Sequence, residues 1–183
     1  MKFYWDVDTR LAHPETSLWG VKNSNASRYL IGTKKIYGGT AKEEEATCLR
    51  IHRNGETAVL YQTVSYQIVA GKPYTLSGFA RRANSTETGK KVFEVSVSNA
   101  KKHPMSDCVS DANYYEDEDK TFGTCKFKIS NAEWTRFEYN MILNETDASD
   151  NAVTEVTVTF SSDVDFYLYQ AKFEQGTVAT EWT

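Results

Sequence analysis

The sequence predicts an all-β fold in which two antiparallel sheets pack as a β-sandwich of about eight to ten strands. Two observations carry this prediction. Short segments of alternating polar and apolar residues recur along the chain, and turn residues separate them at a spacing of roughly ten residues, which is typical of sandwiches and barrels. Aromatic residues, which favour strands, make up 13% of the chain, and helix signals are nearly absent.

Three segments alternate most clearly: Val92–Asn99, Cys125–Ser130 and Thr154–Ser161. A period of two places successive side chains on opposite faces of a sheet, so each segment is a strand with one buried and one solvated face. Further strands are predicted at Ala46–His52, Thr57–Val64, Tyr74–Arg82, Arg136–Asn144 and Phe166–Phe173. Trp134 immediately precedes one of these strands, and we expect it in the core.

The connections are less regular than the strands. Asn54-Gly55 predicts a hairpin, because a type I′ turn needs positive φ at both central residues. The run Lys42–Glu45 is either a helical turn or, as we expect, a solvated run of charges. Residues 1–40 are expected to form loops around short edge strands, since Pro14 and Gly38-Gly39 interrupt them.

Length and charge limit the classes of function. With 183 residues, the chain can bury a core without disulfides or metal, and we expect residues 1–183 to form one domain. A net charge of −4 argues against a nucleic-acid partner and makes a neutral polymer the more natural one. No run of about 18 apolar residues occurs, and Asp6 and Asp8 lie where a signal peptide would be apolar. The sequence therefore predicts a soluble chain without membrane insertion.

The three cysteines, Cys48, Cys108 and Cys125, cannot all pair within one chain. A bridge between Cys108 and Cys125 is one alternative, because these two residues bracket the least regular segment, where a crosslink would restrict a long loop. The other alternative, which the odd count favours, is free thiols, with Cys125 buried as a small apolar residue in a strand.

Motifs of catalysis are missing from the sequence. It contains no G-x-S-x-G elbow, no H-E-x-x-H helix, no C-x-x-C pair and no glycine-rich phosphate loop. Of three histidines only His52 falls on a predicted strand, where we interpret it as a surface or packing residue. Glu94 and Glu138 fall on outward strand faces and are interpreted as solvated acids rather than a hydrolase pair. The chain is therefore predicted not to be an enzyme.

The segment Lys101–Thr124 is acidic and aromatic, and we predict a long loop there. Loops of this length are usually functional or mobile. Oxygen-rich side chains in it could hold a hard cation such as calcium. The candidate ligands are Asp111, Asn113, Asp117 and Asp119. Because the spacing is not that of an EF-hand loop, a flexible acidic loop with no cofactor is the preferred interpretation.

The strand Tyr74–Arg82 offers a binding surface. Alternation places Tyr74, Leu76, Gly78 and Ala80 inward, and Thr75, Ser77, Phe79 and Arg81 on the opposite face. Sugar rings present apolar C–H faces to aromatic rings and hydroxyls to polar side chains, so this mixture suits a glycan groove. The alternative is that Phe79 packs beneath the N-terminal segment or a loop. The predicted ligand-binding residues are Thr75, Phe79 and Arg81, with Tyr61 in the same groove and Tyr114 and Tyr115 from the long loop.

Two segments carry a family resemblance. GKPYTLSGFAR, and QTVSYQIVAGK before it, resemble a strand and its preceding strand and turn in the jelly-roll carbohydrate-binding modules attached to xylanases and glucanases. The ending FYLYQAKFEQGTVATEWT resembles the closing strand of similar domains in bacteriophage tail and virion proteins. The resemblance covers residues 46–99 and 125–183, and it implies a jelly-roll sandwich and non-catalytic glycan binding.

Two functions from different classes follow. The first, which the resemblance favours, is an adhesion module that holds a phage particle or a secreted glycoside hydrolase on a polysaccharide or cell-surface glycan. Weak affinity at one site would then be multiplied by copy number. The second is a structural virion or oligomerisation domain that binds no sugar. In either case we expect a virion or extracellular location, within a larger polypeptide or a homo-oligomeric assembly.

Overall fold

In a computed structural model of the chain, the described residues are 2–4, 20–37, 40–65, 68–83, 91–102, 109–110, 114–116, 122–131 and 133–179. These ranges contain strands and no helix. The strands are β1 (Lys2–Tyr4), β2 (Gly20–Lys22), β3 (Ser24–Tyr37), β4 (Thr40–Arg53), β5 (Ala58–Val64), β6 (Pro73–Arg82), β7 (Lys91–Ser98), β8 (Ala100–Lys102), β9 (Val109–Ser110), β10 (Tyr114–Glu116), β11 (Phe122–Ile129), β12 (Thr135–Leu143), β13 (Val156–Ser162) and β14 (Phe166–Gln175).

The strands form two antiparallel sheets. Sheet I has the order β3-β4-β14-β6-β12-β8, with β1 added to β14 and β9 added to β12. Sheet II has the order β10-β11-β7-β13-β5-β2. The prediction of an all-β sandwich is confirmed, and each of the eight strands predicted from the sequence is present. Their ends agree within three residues, except that β4 begins at Thr40, six residues before the predicted start.

The core lies between the two sheets and is rich in phenylalanine. The ring of Phe93 in sheet II is the centre of this cluster: its centroid lies 5.4 Å from that of Phe137, 5.2 Å from Phe166 and 6.1 Å from Phe160. All four side chains are fully buried. Burial of one such side chain stabilises the fold by about 1.5–3 kcal/mol. The inward faces that alternation predicts for Val92–Asn99 and Thr154–Ser161 are confirmed.

The predicted hairpin at Asn54-Gly55 is wrong. These residues connect β4 in sheet I to β5 in sheet II, so the flanking strands are not paired with each other. Neither residue has positive φ, which a type I′ turn would need. The left-handed residue is instead Asn23 (φ 48°), on the neighbouring crossover from β2 to β3, and its carbonyl accepts a hydrogen bond of 2.6 Å from the Asn54 N–H.

Expectations for the first part of the chain are partly wrong. The run Lys42–Glu45 lies inside β4, so it is not a helical turn, and the expected solvated run of charges stays a prediction. Strands β3 and β4 each have 14 residues and pair along their whole length, from Ser24 with Arg53 to Tyr37 with Thr40, so β3 is an edge strand but not a short one. Pro14 and Gly38-Gly39 lie outside the described residues.

The segment predicted as a long loop contains three short strands. β8 and β9 pair with β12 in sheet I, and β10 pairs with β11 in sheet II. The chain enters this segment at Asn99, whose positive φ of 53° allows an immediate crossing from β7 in sheet II to β8 in sheet I. The three described strands of this segment therefore extend the two sheets.

Candidate functional site

The outer face of sheet I carries the strongest candidate site. The backbone register aligns Phe79 on β6 with Tyr169 on β14 and with Arg136 on β12. Two residues further along β6, on the same face, Arg81 is aligned with Tyr167. The predicted outward positions of β6 are confirmed, because Tyr74, Leu76 and Ala80 lie in the core between the sheets.

Four aromatic side chains form a cluster on this face, which we call the aromatic platform: Phe79, Trp134, Tyr167 and Tyr169. Ring centroids are 6.1 Å apart for Phe79 and Tyr169, 5.6 Å for Trp134 and Tyr169, and 6.4 Å for Trp134 and Tyr167. Tyr167 is buried at the base of the platform, next to Cys48 and Ala83, and the other three rings are half-buried. Half-buried rings on a sheet surface present the apolar area that stacks against sugar rings.

The placement of Trp134 differs from the expectation. It packs on the outer face of sheet I and not between the sheets. The reason is the period of two: the core residues of β12 include Phe137, Tyr139 and Met141, so a residue at an even position belongs to the opposite face. This alternation can be read from the sequence. The indole Nε1 of Trp134 is buried without a hydrogen-bond partner among the described residues.

A bulge in β14 sets the aromatic spacing. The register with β6 shifts between Tyr169 and Lys172, where Gln170 adopts a φ of 49°. The extra residue lets both Tyr169 and Lys172 lie on the outer face while Ala171 lies in the core. Alternation alone would have placed Ala171 and not Lys172 outward, so the sequence did not reveal this arrangement.

Arginine side chains surround the platform. The Nε and Nη2 atoms of Arg81 both donate to the carbonyl oxygen of Asn131, at 3.0 and 2.7 Å. Nη1 of Arg136 lies 3.9 Å from Oε2 of Glu138. Arg50, on β4, is aligned with Tyr167. The platform is therefore apolar in its centre and basic at its margins.

The other half of the same face is polar and covered. Thr75 is fully buried, and its Oγ1 lies 2.7 Å from Asn140 Oδ1 and 2.8 Å from the Gly176 carbonyl oxygen. The side chains of Lys172 and Glu174, each only 2% exposed, form an ion pair of 3.0 Å. Thr75 therefore has no surface to offer a ligand in this conformation.

The remaining predicted ligand-binding residues lie elsewhere. Tyr61 is on the outer face of sheet II, where its ring packs against Gly20 and lies 5.8 Å from Lys22 Nζ. The structure thus brings Phe79 and Arg81 together but separates them from Tyr61 by the thickness of the sandwich. Tyr114 and Tyr115 lie in β10, at the edge of sheet II.

No cluster of three or more metal-ligating side chains occurs among the described residues. The predicted calcium ligands Asp111, Asn113, Asp117 and Asp119 lie outside that part of the chain.

The histidine of β4 has an acidic neighbour: His52 Nδ1 is 2.6 Å from Asp165 Oδ2, and 56% of the His52 side chain is exposed. Glu94 and Glu138 lie on different sheets, so they do not face each other as a hydrolase pair.

The cysteines differ from the favoured expectation of free thiols. Cys125 is disulfide-bonded, and Cys48 carries a buried thiol. Cys108 lies outside the described residues. Burial raises the pKa of the Cys48 thiol to about 12, against a smaller lowering effect of the Arg81 charge. Such a thiol is protonated and unreactive at neutral pH.

Comparison with solved structures identifies the architecture. The chain superimposes on the CBM22-1 xylan-binding domain of Paenibacillus barcinonensis Xyn10C with a TM-score of 0.53 and 8% sequence identity, over 90% of this chain and 89% of that one. The fold is a jelly roll. A second xylan-binding CBM22 domain gives a TM-score of 0.51 and 14% identity over 90% and 91% of the two chains. The C-terminal family 22 carbohydrate-binding module of Clostridium thermocellum Xyn10B gives the same TM-score and identity over 97% and 96%.

These likenesses establish the jelly-roll fold, and at such low identities they do not assign a ligand. No protein-family model matches the sequence, and no curated protein matches it. Within the described residues, the jelly roll contains no helix long and apolar enough to cross a membrane.

Proposed function

We propose that this jelly roll is a non-catalytic glycan-binding module whose site is the aromatic platform on the outer face of sheet I. The single observation that carries the proposal is the juxtaposition of half-buried aromatic rings, Phe79, Trp134 and Tyr169, with arginine side chains at their margins. An aromatic surface with polar groups around it is the chemistry that holds a sugar ring by one face and its substituents by their edges.

The covered polar half of the face supports the same location. Because the Lys172–Glu174 pair and Thr75 are buried, a ligand over the described parts of β6 and β14 would contact the half that contains the platform. On sheet II, Tyr61 packs against Gly20 and has no aromatic neighbour among the described residues. The platform is therefore the better of the two outer faces for a glycan.

The biological setting is part of the proposal. We propose that the module acts outside the cell, on a phage tail or virion protein or as an appendage of a secreted glycoside hydrolase, and holds its carrier on a polysaccharide surface. The resemblance of its closing strand to domains of phage tail proteins supports the first of these settings. Single-site affinity is expected to be weak, and display in several copies would raise the avidity.

A glycan array that includes bacterial capsular and cell-wall polysaccharides and plant xylans tests the proposal. The wild-type domain is expected to bind a restricted set of glycans, and Phe79→Ala is expected to lose at least tenfold in affinity, or about 1.4 kcal/mol. Thermal unfolding of both proteins checks that the variant is folded. Silence of the folded wild-type domain across the array would contradict glycan binding and favour a structural virion domain.

A further inference from the structure

Three arginines lie around the aromatic platform, although the chain as a whole is acidic. The protein carries a net charge of −4, which made a neutral polymer the natural expectation. Around the platform, however, three strands of sheet I each contribute an arginine: Arg50 from β4, Arg81 from β6 and Arg136 from β12. The register places Arg50 and Arg81 on either side of Tyr167, and Arg136 beside Phe79.

Two described carboxylates near the platform have partners within the protein. Glu138 accepts a hydrogen bond of 2.6 Å from the backbone N–H of Ala179, in the segment after β14, and its Oε2 lies 3.9 Å from Nη1 of Arg136. Asp165 accepts one of 2.9 Å from the backbone N–H of Arg53 and contacts His52. Both acids are therefore engaged in holding backbone segments that leave the sheet.

Arg81 lacks a described counter-charge. Its two hydrogen bonds, from Nε and Nη2, go to one neutral oxygen, the carbonyl of Asn131. In the part of the chain that the structure describes, no carboxylate oxygen lies within 4.0 Å of a guanidinium nitrogen of Arg81, the distance that defines an ion pair. The carbonyl fixes the plane of the guanidinium, and Nη1 is left to donate to another acceptor. A half-buried positive charge gains from an anion placed beside it.

We propose that the glycan held on this face is acidic, and that carboxylates of its uronic acid residues are recognised by Arg81, between Arg50 and Arg136. This inference rests on the proposed function and adds the chemical class of the ligand. Sugar rings would stack on Phe79 and Tyr169 while a carboxylate accepts hydrogen bonds from the guanidinium. Arginine suits this role because its planar donors match the geometry of a carboxylate.

Matched pairs of polymers test the inference. Polygalacturonate, alginate and hyaluronate are compared with their carboxyl-reduced forms, in which each uronate becomes a neutral hexose while the linkages stay the same. We expect the acidic form of at least one pair to bind about tenfold or more tightly than its reduced form, with affinity falling as salt concentration rises. Dextran sulfate serves as a polymer with charge but no carboxylate.

Arginine variants locate the effect. Arg81→Gln is expected to lower affinity for the acidic polymer about tenfold, and Arg136→Gln, which leaves the contact with Asn131 intact, is expected to lower it severalfold. Arg53→Gln is the matched control: it removes the same charge from the end of β4, where Arg53 Nη1 contacts the Asp163 carbonyl. Thermal unfolding of each variant reports whether the Asn131 segment has been loosened.

The outcomes separate the two claims. Equal binding of an acidic polymer and its reduced form would overturn the inference and leave the glycan-binding module intact. Equal losses in Arg81→Gln and Arg53→Gln, or dextran sulfate binding as tight as that of the best uronate polymer, would show charge attraction without a carboxylate site and would also overturn it. Absence of binding to every acidic, neutral and reduced polymer would overturn the proposed function and this inference together.

Discussion

The carboxylate of Glu138, in the middle of β12, accepts a hydrogen bond of 2.6 Å from the backbone N–H of Ala179, beyond the end of β14. On the way there the chain passes over β6, where the Gly176 N–H donates to the Pro73 carbonyl at 2.9 Å. Residues 176–179 therefore cross the outer face of sheet I from the start of β6 to the middle of β12. We call them the C-terminal strap.

Removal of the Glu138 carboxylate is expected to release the C-terminal strap. Glu138→Ala should cost about 1.5–3 kcal/mol of unfolding free energy, since the lost hydrogen bond has a charged acceptor. Hydrogen exchange at the Ala179 amide should become faster by more than tenfold. Glu155→Ala, at an exposed position before β13, is the matched control and should change neither quantity. Unchanged exchange at Ala179 in Glu138→Ala would show that the hydrogen bond does not hold the strap.

Gly78 is required where β6 approaches the bulge of β14. A Cβ at this position would lie 3.0 Å from Phe137 Cζ and 3.1 Å from the Ala171 Cα atom, and a backbone atom cannot rotate away. Gly78→Ala should therefore destabilise the fold by about 1–3 kcal/mol. Gly55→Ala is the control, because its Cβ would meet nothing closer than Asn23 Cβ at 3.9 Å. Urea unfolding measures both, and equal midpoints for the two variants would contradict the packing argument.

The sequence predicted strands well because alternation is a local property. Each predicted inward face, such as that of Val92–Asn99, is the face that packs in the core. Strand pairing is not local, and the sequence did not reveal it. Asn54-Gly55 has the composition of a hairpin turn, yet β4 and β5 belong to different sheets. β4 pairs with β3 and β14, and β5 pairs with β13 and β2.

The candidate site was only partly predictable for the same reason. Phe79 and Arg81 were found by alternation within one strand, and their position on the outer face is confirmed. Tyr169 and Tyr167 were missed. They lie beside Phe79 and Arg81 because of the register between β14 and β6 and the bulge in β14, and neither feature can be read from the sequence of one strand. Tyr61 was grouped with Phe79 although its strand lies in the other sheet. Whether any of these residues contacts a ligand stays a prediction.

The disulfide of Cys125 is expected to stabilise the edge of sheet II. Since Cys48 carries a thiol, peptide mapping without reduction should recover Cys125 crosslinked to Cys108. A bridge that closes a loop of roughly 15 residues contributes about 3 kcal/mol, so Cys125→Ser should lower the unfolding free energy by that amount. Recovery of Cys125 crosslinked to Cys48, or an unchanged midpoint after reduction, would contradict this pairing.

The buried thiol of Cys48 makes stability depend on alkaline pH. Its pKa is raised by burial from an ordinary value of 9.0 to about 12, so the folded state holds the proton more tightly than the unfolded state. The resulting stability is fully present below about pH 9 and is lost as pH rises toward 12. Burial also raises the pKa of Tyr74, which acts in the same direction above its ordinary value of 10.0.

Urea unfolding between about pH 8 and about pH 11 measures this dependence. The wild-type midpoint should fall with pH, and the fall should be smaller in Cys48→Ala, which has no thiol to ionise. Ellman's reagent should modify Cys48 only after unfolding. Rapid modification of the native protein, or identical pH slopes for wild type and Cys48→Ala, would show that the thiol is accessible and that its burial does not control the slope.

The most direct test of the account is calorimetric titration of the best-binding polysaccharide into two aromatic variants, one on each outer face. Phe79→Ala removes a ring from the platform on sheet I, and Tyr61→Ala removes one from sheet II. Phe79→Ala is expected to lose at least tenfold in affinity, or about 1.4 kcal/mol, whereas Tyr61→Ala should bind like the wild type. Equal affinity of Phe79→Ala and wild type, or a loss confined to Tyr61→Ala, would contradict this expectation.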